Sequence, residues 1–205
     1  RVAAILEKDN SLDFIEAFKN DTLTIVVGSS WPKDENLLVD FINQTSENVK
    51  FIIAPHNIKS EQIQELKNSI SKKVVLFSEK ETKNLADFDV FIIDTIGILT
   101  KIYSYADIAY VGGGFGNPGV HNILEPATFG VPIVIGSNFS HFAEATALVN
   151  MEGCISIANK NELLDAFSNL IRNDDIRNEK GHICSTFVQM NKGATNIILK
   201  QILND

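Results

Sequence analysis

The chain has 205 residues, 44% of them hydrophobic, and a formal net charge of −8, with arginine only at positions 1, 172 and 177. That length and apolar content suffice to bury one sizeable α/β core, so residues 1–205 read as a single domain. The acidic balance, without a basic patch, argues against a nucleic-acid partner and against unaided binding to anionic lipid. Lysines interleaved with acids, as in Lys33-Asp34-Glu35 and Glu79-Lys80-Glu81, read as solvated surface. The longest apolar runs are about six residues, far short of the ~20 of a membrane helix, and no signal peptide opens the chain. Arg1 to Leu6, with no Met and a mixed apolar start, instead reads as the interior of a longer protein. Cys154 and Cys184 lack CxxC spacing, so neither a zinc site nor a disulfide framework is expected, and both read as reduced core thiols.

Along the chain, short apolar runs of β type alternate with helix-period segments. Strands are expected over Leu23 to Val27, Val49 to Ala54, Val74 to Phe77, Val90 to Ile93, Ile108 to Val111, Ile133 to Ile135 and Cys154 to Ile157. Helices are expected over Glu35 to Thr45, Glu61 to Ile70, Ile98 to Tyr105, Ile123 to Phe129 and Phe142 to Asn150. After Ile157 the pattern turns purely helical, over Asn161 to Ile171, Ile176 to Met190 and Ala194 to Leu203. Continuously apolar strands separated by helices predict an α/β fold: a Rossmann-like parallel sheet covered on both faces, with an all-helical C-terminal segment. No repeats, low-complexity tracts or linkers divide it.

Ligands of such sheets bind beyond the carboxyl ends of the strands. The strand exits therefore supply the candidate site: Gly28-Ser29-Ser30-Trp31-Pro32, Pro55-His56-Asn57, Asp94-Thr95-Ile96-Gly97, the glycine loop after Val111, and Gly136-Ser137-Asn138. Nearly all are small and polar, which suits a phosphorylated ligand but also serves turns and caps.

The glycine loop has five glycines between Gly112 and Gly119, then delivers His121, Asn122 and Glu125 to the start of a helix. Glycines let the backbone approach a ligand closely, and helix-start N–H groups favour an anion. Gly114 to Gly119 formally fits GxGxxG, but a dinucleotide turn belongs in the first βαβ unit with an acid ending the next strand, and this loop follows four other strands. Two readings of the polar trio stay open. Asn122 can be an N-cap with Glu125 its capping-box partner, or Glu125 can turn its carboxylate to a pair of ligand hydroxyls.

Tyr105 to Gly114, Gly119 to Ala127 and Gly130 to Gly136 together resemble the ADxAxVGG…GGHNxLEPAxxGxPVxxGP signature of the 3-deoxy-D-manno-octulosonic acid (Kdo) transferases of lipopolysaccharide assembly. Gly28-Ser29-Ser30-Trp31 with Asp34-Glu35 resembles that family's GSTxxGE stretch. Asp94 to Leu99 resembles its DTxGEL, and Asn191-Lys192-Gly193-Ala194 its NxGA. The resemblance covers essentially the whole chain. It implies the donor-binding C-terminal half of a GT-B glycosyltransferase that transfers Kdo from CMP-Kdo to a lipid A precursor with inversion. No metal or cofactor beyond the donor substrate is implied. The acceptor domain, its general base and any membrane contact are expected on an absent N-terminal half, at the cytoplasmic side of the bacterial inner membrane, so this chain alone is expected to be inactive.

Carried over to matching positions, the resemblance implies that Pro55 and His56, Gly97 to Leu99, and Asn122, Ile123, Leu124 and Glu125 bind CMP. Backbone N–H groups at Thr95 to Gly97 and around Gly113 and Gly114 would face the phosphate, His56 or His121 would donate to it, Glu125 would accept from the ribose, and Ser29 and Ser30 also belong to the expected donor site. The sequence departs from the family in two places. No arginine lies between Pro55 and His56, and Ile98 replaces the glutamate of DTxGEL, which is expected either to weaken donor binding or to shift it onto backbone groups and lysines such as Lys33 or Lys59. Another GT-B enzyme using a UDP- or GDP-sugar, as a transferase or 2-epimerase, and a non-catalytic nucleotide-binding module are the rival readings.

Overall fold

A computed structural model describes residues 2–116 and 119–192. Asn117 and Pro118 of the glycine loop, the Gly193-Ala194 end of the NxGA stretch and the helix expected from Ala194 to Leu203 lie outside the described residues. Seven strands, β1 (Leu23–Ser30), β2 (Val49–Pro55), β3 (Val74–Leu76), β4 (Val90–Ile92), β5 (Ile108–Val111), β6 (Ile133–Gly136) and β7 (Cys154–Ile157), form one sheet in the order β3-β4-β2-β1-β5-β6-β7. All pairings are parallel. Parallel neighbours need crossovers, and the helices that supply them cover both faces, which is why the strands carry apolar side chains on both sides.

Alternate residues of each strand feed opposite layers. Val26, Ile52, Phe91, Ala109 and Ile133 join one buried cluster, and it is closed by α1 (Asp13–Lys19) through Ile15 and Phe18. Ile25, Val27, Phe51, Ile53, Tyr110 and Val134 join the other, closed by α2 (Pro32–Gln44) and α3 (Ser60–Ser69) through Leu38, Phe41, Ile63 and Leu66. Each fully buried aliphatic or aromatic side chain contributes roughly 1.5–3 kcal/mol of transfer free energy. The site side of the sheet carries two very short helices, α4 (Leu99–Ile102) and α5 (Leu124–Thr128). Beyond them come α6 (Ala143–Asn150), α7 (Lys160–Arg172) and α8 (Asp174–Met190). Cys154 and Cys184 are free and buried, and burial pushes the Cys184 thiol up to about 12.

Several expectations shift at their edges. The helix expected from Ile98 to Tyr105 divides into α4 and a 3-10 turn over Tyr103–Tyr105. Helix α1 and the 3-10 turn Val2–Glu7 were not expected, because a single turn or two carries too few apolar positions to show a period. Strand β1 runs three residues past Val27, since a bulge at Ser29 lets pairing resume between Ser30 and Pro55.

The chain leaves β1 for β2 on one side and, after β4, crosses to β5 on the other. The order of strands therefore reverses between β1 and β5, and their carboxyl ends open the crevice where a doubly wound sheet holds ligands.

Candidate functional site

The floor of the crevice is backbone held by one buried side chain. Ser29 sits at φ 53, outside the region L-residues prefer, and the carbonyl it presents lies so close to Gly112 that any Cβ there would collide with it. Gly113, at φ 95, turns the chain away from β5. Asp34, fully buried in the first turn of α2, ties these parts together. Its Oδ2 accepts the backbone N–H groups of Trp31 (2.9 Å) and Gly113 (2.9 Å), and its Oδ1 accepts the Tyr110 hydroxyl (2.8 Å). Burial first, and then the Asp34 charge, push the Tyr110 pKa far above its ordinary value. The surface reading of Lys33-Asp34-Glu35 is thus corrected for Asp34. A charge run has no way to show that its middle member turns inward to collect three donors.

Above this floor stand three rings. Trp31 Nε1 donates to His121 Nε2 (2.8 Å), and the two ring planes differ by 10°. His56 stacks on both, 4.4 Å from the Trp31 centroid and 4.6 Å from that of His121. An indole N–H only donates, so Nε2 of His121 accepts and its ring proton resides on Nδ1. Burial and then the neighbouring His56 hold His121 below the ordinary imidazole pKa, against the opposing pull of Asp34.

In the polar trio the capping expectation shifts by one residue, since the N-cap position of α5 falls on Ile123 and Asn122 precedes it. Asn122 Oδ1 accepts the Leu124 N–H (3.1 Å), which is a capping contact, but Glu125 does not close the box onto the Asn122 backbone. Its Oε1 accepts from the Asn122 side-chain amide (3.0 Å) and its Oε2 from the Thr100 hydroxyl (2.9 Å). Each oxygen keeps lone-pair capacity for a further donor. This carboxylate lines a cavity of about 700 Å³ together with Ile5, Lys8, Asn10, Gly97, Thr100, Lys101 and Asn122. A smaller hollow of about 290 Å³, lined by Val120 to Leu124, Phe142, Glu144 and Ala145, shares Asn122 with it. Tyr103, fully buried, has its pKa raised first by burial and then by the Glu125 charge.

The residues expected from sequence divide accordingly. Gly97, Asn122 and Glu125 line the large cavity, and Ile98 and Leu99 are partly buried apolar residues at the start of α4 beside it. His121, Ile123 and Leu124 line the smaller hollow, and His56 is exposed against His121. Pro55 ends β2, and Thr95 is half-buried in the loop after β4. The Gly113 N–H is taken by Asp34, and the Gly114 carbonyl accepts from the Asn138 N–H (2.8 Å), so the two glycines shape the floor. Ser30 is 1% exposed with its hydroxyl on Glu35 (2.9 Å), away from both openings. Burial of Glu35 raises its pKa. Neither Lys33 nor Lys59 is among the residues lining these two openings. Lys8, Asn10, Thr100 and Lys101 are, and sequence reasoning missed them because the first two lie far from any strand exit and the others sit inside a helix-period segment. Among the described residues no cluster of His, Cys, Asp and Glu is arranged to hold a metal ion, and no helix is long and apolar enough to cross a membrane.

No family model matches the chain. A 3-deoxy-D-manno-octulosonic acid transferase of Chlamydophila psittaci is 36% identical over 140 residues, covering 65% of this chain and 31% of that protein. That of Chlamydia trachomatis serovar D is 33% identical over 164 residues, covering 77% and 37%. That of Aquifex aeolicus is 31% identical over 132 residues, covering 63% and 36%. The chain thus spans about a third of the length of the curated relatives it matches. Among solved structures, the C-terminal CMP-Kdo binding domain of WaaA from Acinetobacter baumannii superposes with a TM-score of 0.73 at 18% identity, covering 87% of this chain and all of that one. Anabaena HepE in complex with UDP-glucose superposes at 0.60 with 14% identity, covering 88% of this chain and 49% of that one. These two likenesses show a shared fold, while the sequence matches carry the family: the chain belongs to the 3-deoxy-D-manno-octulosonic acid transferases, with the fold of a GT-B C-terminal domain.

Proposed function

We propose that this chain is the donor side of an inverting Kdo transferase and binds CMP-Kdo for transfer of Kdo to a lipid A precursor at the cytoplasmic face of the bacterial inner membrane. The observation that carries the reading is Glu125. Its carboxylate is held from two sides by Thr100 and Asn122, yet it opens into a cavity of about 700 Å³, within the usual range for ligand sites. A carboxylate oriented in this way suits a vicinal diol, and leaving a buried hydroxyl or its acceptor unpaired is costly enough to make the contact discriminating.

Inverting transfer needs a base on the acceptor hydroxyl and a sink for the departing nucleotide phosphate. The cavity supplies the sink and the grip on the ribose. Glu125 is the only carboxylate among the described residues that line it, and it is committed to orientation, so the base is assigned to the part of the enzyme outside this chain, together with the acceptor site and the membrane contact. The chain by itself then binds donor without turning it over.

Calorimetric titration with CMP, UMP and GMP tests this. CMP is expected to bind at least about tenfold more tightly than the other two, a difference of about 1.4 kcal/mol. A preference for the uridine or guanosine nucleotide removes the Kdo assignment in favour of another GT-B donor, and binding of none removes the donor reading. Glu125→Ala is expected to abolish CMP binding with little change in melting temperature. A drop of roughly 4 °C or more with CMP binding intact would make Glu125 a helix-start residue only.

A further inference from the structure

Resting on that donor reading, we propose that Lys8 and Lys101 are the cations that hold the phosphate of the donor. The family arginine beside His56 is absent. Among the described residues the arginines are Arg172, which pairs with Glu47, and Arg177, which pairs with Asp174. An anion brought into the cavity beside Glu125 without a counter-charge would be strongly disfavoured. Lys8 and Lys101 line that cavity, whereas Lys33 and Lys59 do not.

Their charges are uncommitted. Lys19, Lys67, Lys80 and Lys160 form ion pairs, but among the described residues Lys8 and Lys101 form none. Asp9 lies near Lys101, yet its carboxyl is drawn below the ordinary range chiefly by hydrogen bonds from Ser11 and least by that lysine. Lys8 is placed by local structure. Its N–H donates to the Ile5 carbonyl (3.2 Å), and the Asn10 amide bridges the Ile5 (3.0 Å) and Lys8 (3.1 Å) carbonyls. Lys101 projects from α4, one residue beyond the Thr100 that orients Glu125. Two cations opposite one carboxylate leave a net positive wall in a chain of net charge −8. The phosphate of a nucleoside monophosphate ester brings one negative charge, which balances that wall.

The test uses the whole chain and its Lys8→Met, Lys101→Met and Lys33→Met variants, titrated with CMP, cytidine and inorganic phosphate at low and high salt. Methionine keeps the length of the side chain and removes its charge. Each of the first two substitutions is expected to weaken CMP about fivefold or more at low salt, to flatten its salt dependence, and to leave cytidine binding and melting temperature unchanged. Lys33→Met should bind CMP as the parent does. If the parent binds CMP and neither Lys8→Met nor Lys101→Met alters it, or if cytidine weakens in step with CMP, the lysine assignment is overturned while the donor reading stands. A parent chain that binds neither any nucleotide nor phosphate overturns both.

Discussion

Trp31 and His121 make one unit because an indole can only give a hydrogen bond. The bond into Nε2 exists only while that nitrogen is unprotonated, so it adds to burial and His56 in holding the His121 pKa below its ordinary value. A depressed histidine contributes stability that is present above the unfolded value near 6.5 and is lost as pH falls through the folded one, since the unfolded chain binds the extra proton. Trp31→Phe keeps an aromatic surface for His56 but deletes the donor. The His121 pKa, followed by NMR titration, should rise toward the ordinary value, and the acid loss of stability below about pH 6.5 should shrink. An unchanged His121 titration would mean that burial and His56 set it without the Trp31 bond.

At the scale of elements, Asp34 fastens the start of α2 to the end of β5. Asp34→Ala strands the Gly113 and Trp31 N–H groups and the Tyr110 hydroxyl, and should cost about 3 kcal/mol in denaturant unfolding. Asp34→Asn should keep most of that. Its single oxygen can take the place of Oδ2 beneath the two N–H groups, while its amide donates to a Tyr110 hydroxyl turned to accept. Equal losses for both variants would mean that the charge, not the bonding pattern, holds the loop. Asp34 also marks where reading the sequence stops. The strands and long helices were legible because burial on both faces writes continuous apolar runs into β1, β2 and β5 and a period into α2, α3 and α7. Gly97, Asn122 and Glu125 were legible because strand exits in such sheets converge. The inward turn of Asp34, the Trp31–His121 bond and the approach of Lys8 to α4 were not, since each depends on segments remote in the chain meeting with a particular side-chain direction.

For the molecule as a whole, the two buried clusters share one sheet, and the large cavity takes its walls from Ile5 through Glu125, across the N-terminal turn, α4 and α5. A ligand held by parts so far apart in sequence binds only when they are assembled, so its binding free energy adds to that of folding. At a CMP concentration of about 100 times its dissociation constant this amounts to about 2.7 kcal/mol. For a chain of this size that shifts the melting temperature by roughly 5–10 °C. Scanning calorimetry with and without CMP should show a single transition that moves upward as a unit, and CMP should slow amide exchange in β1 and β5 as well as at the cavity wall. Two transitions, of which only one moves, would show instead that the segment carrying Lys8 and the short helices around Glu125 opens independently of the sheet. Binding would then order a local flap, and Lys8 would contribute to affinity only after meeting the cost of that ordering.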